Sequence, residues 1–163
     1  MHKGKIIGIL AIIIALTLSG CGERKAPEPP KDTYSAEFAQ SPMEYMIFID
    51  KEIAPITNAL TTEILLSRHV EQGSITKEKA LESANSSLNT INECINEVDI
   101  MQPPLEYAET RDNVLSAMDQ ARADMEEYIA VLKGEKSTSL SSLRSSMQAD
   151  FILITGEFNV YNE

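Results

Sequence analysis

Beyond residue 40, hydrophobic and polar positions alternate with a helical period in four successive stretches. In each stretch, apolar residues recur at spacings of three and four, which places them along one face of a helix. The stretches predict helices over 42–72, from Thr76 to just before Pro103, over 103–133, and from 137–139 to near the C-terminus. Seven Gly and seven Pro in 163 residues favour helices over strands.

The apolar stripe of each predicted helix gives its expected core residues. In the first helix the stripe consists of Met46, Ile49, Ile53, Ile56, Leu60 and Ile64, extended by Leu65, Leu66 and Val70. In the third it consists of Tyr107, Val114, Met118, Ala121, Met125, Tyr128 and Leu132, broadened by Leu105, Leu115 and Ile129. In the fourth it consists of Leu140, Leu143, Met147, Phe151, Ile154, Phe158 and Tyr161.

Local signals mark the helix ends and one interruption. Gly73 and Gly134 are expected to end the first and third helices, and Thr76 is a good N-cap for the second. Pro55 lies inside the first helix, where it removes one hydrogen bond, so we expect a kink there or a break into two helices. Because short connections make successive helices antiparallel, residues 39–163 are predicted to form an all-α, antiparallel up-down four-helix bundle.

The N-terminus has a different pattern. Lys3 and Lys5 precede 13 residues dominated by Ile, Leu and Ala, from Ile6 to Leu18. Crossing a bilayer takes about 20 apolar residues, so this run is short for a membrane span. A basic start, a short apolar middle and small residues at the end are typical of a secretory signal.

The end of that run, Leu18-Ser19-Gly20-Cys21, resembles the lipobox of bacterial lipoproteins at every position. The resemblance implies that the Cys21 sulfur receives a diacylglyceryl group, that cleavage falls between Gly20 and Cys21, and that the new amino group can be acylated. Residues 1–20 would then be a signal peptide. Residues 21–38 are predicted to be a flexible tether, since Pro27, Pro29 and Pro30 exclude a helix interior.

Charge limits the partners of the mature chain. The whole sequence carries a net charge of −11. Without residues 1–20 it keeps 12 basic and 25 acidic side chains, a net charge of −13. Phosphate backbones and anionic headgroups repel such a surface, so nucleic-acid binding is not expected. A membrane would have to hold this chain through covalent lipid, and two or three acyl chains provide a stable anchor.

The sequence contains few groupings of residues that could carry out chemistry. His69 is the one histidine outside the signal and has no Glu three residues before it, so no metal or haem site is predicted. Asp119, Asp124, Glu126 and Glu127 are expected to form a solvated face of the third helix. Cys94 has Glu93 and Glu97 as neighbours, which predicts a buried, unreactive thiol. We find no nucleophile elbow and no glycine-rich phosphate loop, so neither catalysis nor a cofactor besides the Cys21 lipid is expected.

Two polar features are candidates for binding. Arg111 occupies a core-facing position one turn after Tyr107, where it needs a carboxylate, a ligand anion, or a route for its side chain to the bundle end. The second helix has a face of uncharged polar residues that either binds a partner or is solvated: Ser83, Ser86, Ser87, Asn89, Thr90, Asn92 and Asn96.

Together these features predict a membrane-anchored surface lipoprotein, located at the extracytoplasmic face, that acts as a non-enzymatic binding or scaffolding module. A protein partner at the cell surface is expected, and the oligomeric state is left open. The alternative is a small-ligand sensor or solute-binding bundle that uses the interhelical space near Arg111 and Tyr107. The signal, tether, bundle and Pro103-Pro104-x-x-Tyr107 segment together resemble small helical lipoproteins of Gram-positive bacteria. That likeness implies a location and an architecture, and no activity.

Overall fold

The computed structural model describes residues 41–159, with side chains to residue 157. This part of the chain is all helical, which confirms the predicted fold class. Its elements are α1 (Pro42–Glu71), α2 (Lys77–Ile100), a 3-10 turn (Leu105–Tyr107), α3 (Ala108–Lys133) and α4 (Leu140–Asn159). The predicted signal peptide and tether lie outside the described residues.

The four helices pack against each other around one core. Consecutive helices are in contact, and α1 also packs against α4. The α3 stripe from Val114 to Leu132 is buried as predicted. Between residues 41 and 159, none of the helices has both the length and the apolar character that a membrane span requires.

Hydroxyl side chains cap three of the helices. The Ser41 Oγ accepts from the Glu44 N–H at 3.3 Å, and the Thr76 Oγ1 accepts from the Lys79 N–H at 3.4 Å. The Ser139 Oγ likewise accepts from the Ser142 N–H at 3.1 Å. Each bond satisfies a backbone donor that the helix itself leaves unpaired.

The predicted stop signals and the proline act differently. Gly73 and Gly134 have φ angles of 67° and 79°, the left-handed conformation that ends a helix at little cost for glycine. Pro55, in contrast, does not divide its helix, because α1 is one element from Pro42 to Glu71. The break into two helices is therefore absent. Ile53 and Ile56 are both buried beside the proline, so packing on the core offsets the lost hydrogen bond.

The start of the third helix was predicted too early. Pro103 and Pro104 precede a 3-10 turn, and α3 begins only at Ala108. Pro104 has an extended backbone (φ −54°, ψ 148°), which is incompatible with a continuous helix from residue 103. Leu105, expected to broaden the stripe, is instead almost fully exposed.

In parts of α1 and α4, the predicted core residue and the residue that is buried in the structure differ by one or two positions. Leu65 is half-exposed, whereas Glu63 and Ser67 are buried. In α4, Asp150 is buried and Phe151 is only partly so. The buried series Leu60–Glu63–Ser67 and Met147–Asp150–Ile154 keep the three-and-four spacing, so the core face continues through polar residues. The side chains of Phe158 and Tyr161, two further predicted stripe members, lie outside the described residues.

Candidate functional site

Arg111, the predicted ligand-binding residue, closes the C-terminal end of α2. Its Nε donates to the Val98 carbonyl at 3.4 Å, and its Nη2 donates to the Asp99 carbonyl. The guanidinium also forms ion pairs with the Asp99 carboxylate at 3.1 Å and with Asp112 at 3.3 Å. A cation at the carboxyl end of a helix satisfies orphan carbonyls and the helix dipole. The partners that a half-buried arginine requires are thus supplied by the protein.

Tyr107, the second predicted binding residue, packs at the same end of the molecule. Its ring lies against Tyr45 of α1, with ring centroids 5.6 Å apart and planes tilted by 33°. Its hydroxyl donates to the Met46 Sδ at 4.0 Å. Tyr107 and Arg111 therefore join the start of α1, the end of α2 and the start of α3.

A fully buried carboxylate lies in the interior of the bundle. The Glu63 Oε1 accepts hydrogen bonds from the Ser83 hydroxyl at 2.6 Å and from the Ser87 hydroxyl at 2.9 Å. No cation pairs with Glu63 among the described residues, and burial raises the pKa of its carboxyl despite the two serine bonds. We call Glu63, Ser83, Ser87 and Tyr128 the interior polar layer.

Tyr128 brings α3 into this layer. Burial first, and then the charge of Glu63, raise the pKa of its phenol, which keeps the phenol protonated. In the part of the chain that the structure describes, neither the Tyr128 hydroxyl nor the Glu63 Oε2 has a hydrogen-bonding partner. A polar atom that is buried without a hydrogen bond destabilises the folded state. The Tyr128 hydroxyl and the Glu63 Oε2 therefore do not stabilise the fold.

A second buried acid pairs with another acid. Asp150 of α4 faces the carboxyl group of Asp124 on α3, and burial first, followed by the charge of Asp124, raises the pKa of Asp150 to about 7. A neighbouring carboxylate and a buried position both disfavour the charged form of an acid. The α3–α4 interface therefore holds a carboxyl pair, Asp124 and Asp150, whose buried member is favoured in its neutral form.

Cys94 lies in the core as predicted, beside a third buried acid. Burial is the largest cause of the raised pKa of its thiol, about 12, and the Glu52 carboxylate of α1 is the next. Burial also raises the pKa of Glu52 itself. The thiolate is the reactive form, so Cys94 is a poor nucleophile.

A lateral groove runs between α1 and α4 on the surface, with a volume of about 540 Å³. Its lining consists of Thr61, Ile64, Leu65, Arg68, Gln148, Phe151 and Ile152. Leu65 is 50% exposed and Ile152 is 68% exposed, so apolar surface is open to solvent here. Arg68 is the single ionisable side chain of the lining.

The polar face predicted for the second helix and the acids of the third helix do not form a single site. Ser83 and Ser87 belong to the interior polar layer, whereas Ser86, Asn89 and Asn96 of the same predicted face are exposed. Of the four acids of the third helix, Asp119 pairs with Arg122 at 2.8 Å and Glu127 accepts from Thr138 at 2.6 Å. Among residues 41–159, no three His, Cys, Asp or Glu side chains are grouped as metal ligands would be.

Comparison with known proteins returned no similar protein: no family model, curated protein or solved structure matches the chain. The candidate sites therefore rest on their own geometry. The interior polar layer and the carboxyl pair were missed in the sequence, although the spacing of Glu63 and Asp150 within the apolar stripes was a usable signal.

Proposed function

We propose that this protein is a lipid-anchored lipoprotein of the extracytoplasmic membrane face that acts as a non-enzymatic binding module. The segment Leu18-Ser19-Gly20-Cys21 carries the anchoring part of the proposal, together with Lys3, Lys5 and the 13-residue apolar run. Residues 1–20 are removed as a signal peptide, and Cys21 becomes the lipid-modified first residue. The acyl chains hold an acidic domain that its own charge would not attract to a membrane.

We infer that the four helices run up and down in alternation. Two sets of contacts support this topology. Arg111, near the start of α3, binds the last turn of α2. Arg144, near the start of α4, pairs with Glu71 at the end of α1 at 2.8 Å and donates to Ser67 at 3.2 Å. Helices connected in this way by short turns are antiparallel neighbours.

The lateral groove is the binding surface in this proposal. Apolar side chains line it, and Arg68 at its rim has no acidic partner among residues 41–159, in a chain with a large excess of acids. An occupant that complements both features is an amphipathic helix of a partner protein with two apolar residues one turn apart and a carboxylate for Arg68. The lining has no acid, thiol or histidine, which supports binding over catalysis.

Arg111 offers less support for the alternative function, a small-ligand sensor. Its guanidinium already contacts two carbonyls and two carboxylates of the protein. A ligand anion would have to displace Asp99 or Asp112 and expose the end of α2. The lateral groove, with an exposed apolar surface and an uncompensated cation, needs no such displacement.

Anchoring is tested by replacing the thiol. In cells grown with a labelled fatty acid, we expect wild-type protein to carry label and to sediment with membranes. Cys21→Ala should lose the label and leave the membrane fraction, whereas Cys94→Ala should retain both properties. Label on the Cys21→Ala protein would refute the anchor.

Binding at the groove is tested by photocrosslinking in intact cells. A photoreactive residue at Ile152 should give a discrete adduct, and the additional substitution Arg68→Glu should remove it. The same photoreactive residue at Glu82, exposed on α2, is the control and should give no such adduct. Equal adducts from Ile152 with and without Arg68→Glu would contradict a groove that selects an acidic partner.

A further inference from the structure

Four apolar side chains are exposed near one end of the described domain. Leu105 is 94% exposed, Met43 72%, Ile47 53% and Ile100 50%. The contacts of Tyr107 with Tyr45 and of Arg111 with Asp99 place the start of α1, the end of α2 and the 3-10 turn at the same end of the bundle. We call these four residues the apolar end. Single exposed apolar residues are normal on a protein surface, but a group at one end marks a contact surface.

The backbone holds Leu105 outward. The preceding Pro103 and Pro104 restrict the connection from α2, and the Tyr107 N–H donates to the Pro104 carbonyl at 2.9 Å. The Tyr107 ring beneath the turn packs on Tyr45. The conformation of the 3-10 turn therefore directs the Leu105 side chain to solvent.

The described chain enters at this end. Ser41, which caps α1, lies two residues before Met43, and 20 peptide units separate Ser41 from Cys21. Fully extended, that length spans at most about 70 Å. The anchor of the proposed function therefore attaches to the end of the domain that carries the exposed apolar side chains.

We propose that the apolar end rests on the lipid bilayer that holds Cys21, with Leu105 inserted at the headgroup boundary. This inference rests on the proposed lipid anchor. Attachment through Cys21 keeps the apolar end at a high effective concentration near the bilayer, so a small apolar contact is enough to orient the domain. The bundle then stands with its α1–α2 and α3–α4 connections away from the membrane.

Charge at the apolar end specifies the type of lipid surface. Arg111 pairs with both Asp99 and Asp112, which compensates part of the negative charge there. Glu106 and Glu109 are exposed next to Leu105 and belong to no ion pair among the described residues. Because anionic headgroups repel these carboxylates, the contact should favour zwitterionic lipid.

The test places a fluorescent label at Leu105 in mature, lipidated protein on phosphatidylcholine vesicles. Leu105→Cys carries an environment-sensitive NBD group, and Glu135→Cys, exposed between α3 and α4, is the matched control. Cys94 is buried and resists labelling, and lipid occupies the Cys21 sulfur. We expect nitroxide lipids to quench the label at Leu105 at least about threefold more than the label at Glu135, and aqueous acrylamide to show the opposite order. Adding phosphatidylglycerol should reduce the lipid quenching.

The outcomes separate this inference from the anchor. If the protein floats with vesicles but both labels are equally accessible to acrylamide, the anchor stands and the bilayer contact is refuted. If wild-type protein and Cys21→Ala float equally poorly, the anchor itself fails, and this inference fails with it. If the Leu105 label of the Cys21→Ala protein is shielded from acrylamide without vesicles, a second copy covers the apolar end, which contradicts a lipid occupant.

Discussion

At the scale of single residues, the unusual feature is a core with buried acids and little opposing charge. Glu63 has two serine hydroxyls as partners, Asp150 faces Asp124, and Glu52 lies beside Cys94. Among the described residues, these three acids form one ion pair, between Glu52 and the Lys51 Nζ at 3.9 Å. Each of the three buried acids has a raised pKa, with burial as the largest cause. At these three positions, folding therefore favours the protonated form.

Glu63→Gln is predicted to stabilise the protein at pH 8. The amide oxygen can still accept from Ser83 and Ser87, while the cost of burying a charge is removed, so we expect a gain of roughly 1 kcal/mol. The gain should be smaller at pH 5, because the raised pKa of Glu63 favours its neutral form as pH falls. Urea unfolding at the two pH values measures it.

Glu82→Gln is the matched control for this prediction, since Glu82 is exposed on α2 and should show almost no change. A loss of stability in Glu63→Gln at pH 8 would mean that the charged carboxylate is favourably held, contrary to the environment described for it.

At the scale of helices, the sequence predicted most of what local chemistry determines. Thr76, Gly73 and Gly134 act at helix ends as expected, and the α3 stripe is buried. What it missed depends on contacts between helices. The residues next to Glu63 in sequence do not indicate that its partners are Ser83 and Ser87 of α2. Likewise, the pKa of the Cys94 thiol depends on Glu52 of α1 as well as on its own neighbours in sequence. A prediction of core residues from hydrophobicity alone therefore misses the polar residues that are buried, such as Glu63 and Asp150.

Two glycine substitutions are predicted to have opposite effects. Gly134→Ala should cost about 1 kcal/mol, because Gly134 has a φ of 79° at the end of α3. Gly156→Ala should instead stabilise by roughly 0.5–1 kcal/mol, because Gly156 lies within α4 without a positive φ. At neither position would a new Cβ meet an atom within 4 Å, so the backbone alone decides the sign.

Urea midpoints of the two variants, each compared with wild type, test this pair. Equal shifts in the same direction would contradict the assigned helix end at Gly134 and the helical backbone at Gly156.

At the scale of the whole molecule, the described residues form an acidic bundle with exposed apolar side chains near one end and a lateral groove between α1 and α4. The anchor, the apolar end and the lateral groove lie on different parts of the chain: Cys21 in the N-terminal segment, Leu105 between α2 and α3, and Arg68 near the end of α1. This separation allows a bilayer contact and a partner contact at the same time. The interior acids give the same molecule a stability that depends on pH.

Stability is predicted to fall as pH rises from about 5 to 8. The folded-state pKa of Asp150 is about 7, above its ordinary value of 3.8, so the folded chain binds the extra proton and loses its advantage as pH rises through 7. Each such proton contributes a slope of about 1.4 kcal/mol per pH unit over the interval between the two pKa values. Glu52 and Glu63 act in the same direction.

Asp150→Asn should flatten this slope, whereas Asp119→Asn, at an exposed ion pair with Arg122, should leave it unchanged. Urea unfolding between pH 5 and pH 8 measures the slopes. Wild-type stability that increases steadily over this interval would show that the buried acids titrate normally.

The most direct test of the account is the mass of the N-terminal peptide of mature protein purified from cell membranes. We predict a peptide that begins at Cys21, carries a diacylglyceryl group on its sulfur and contains none of residues 1–20. A membrane-purified chain that retains Ile6–Leu18 and carries an unmodified Cys21 would contradict it.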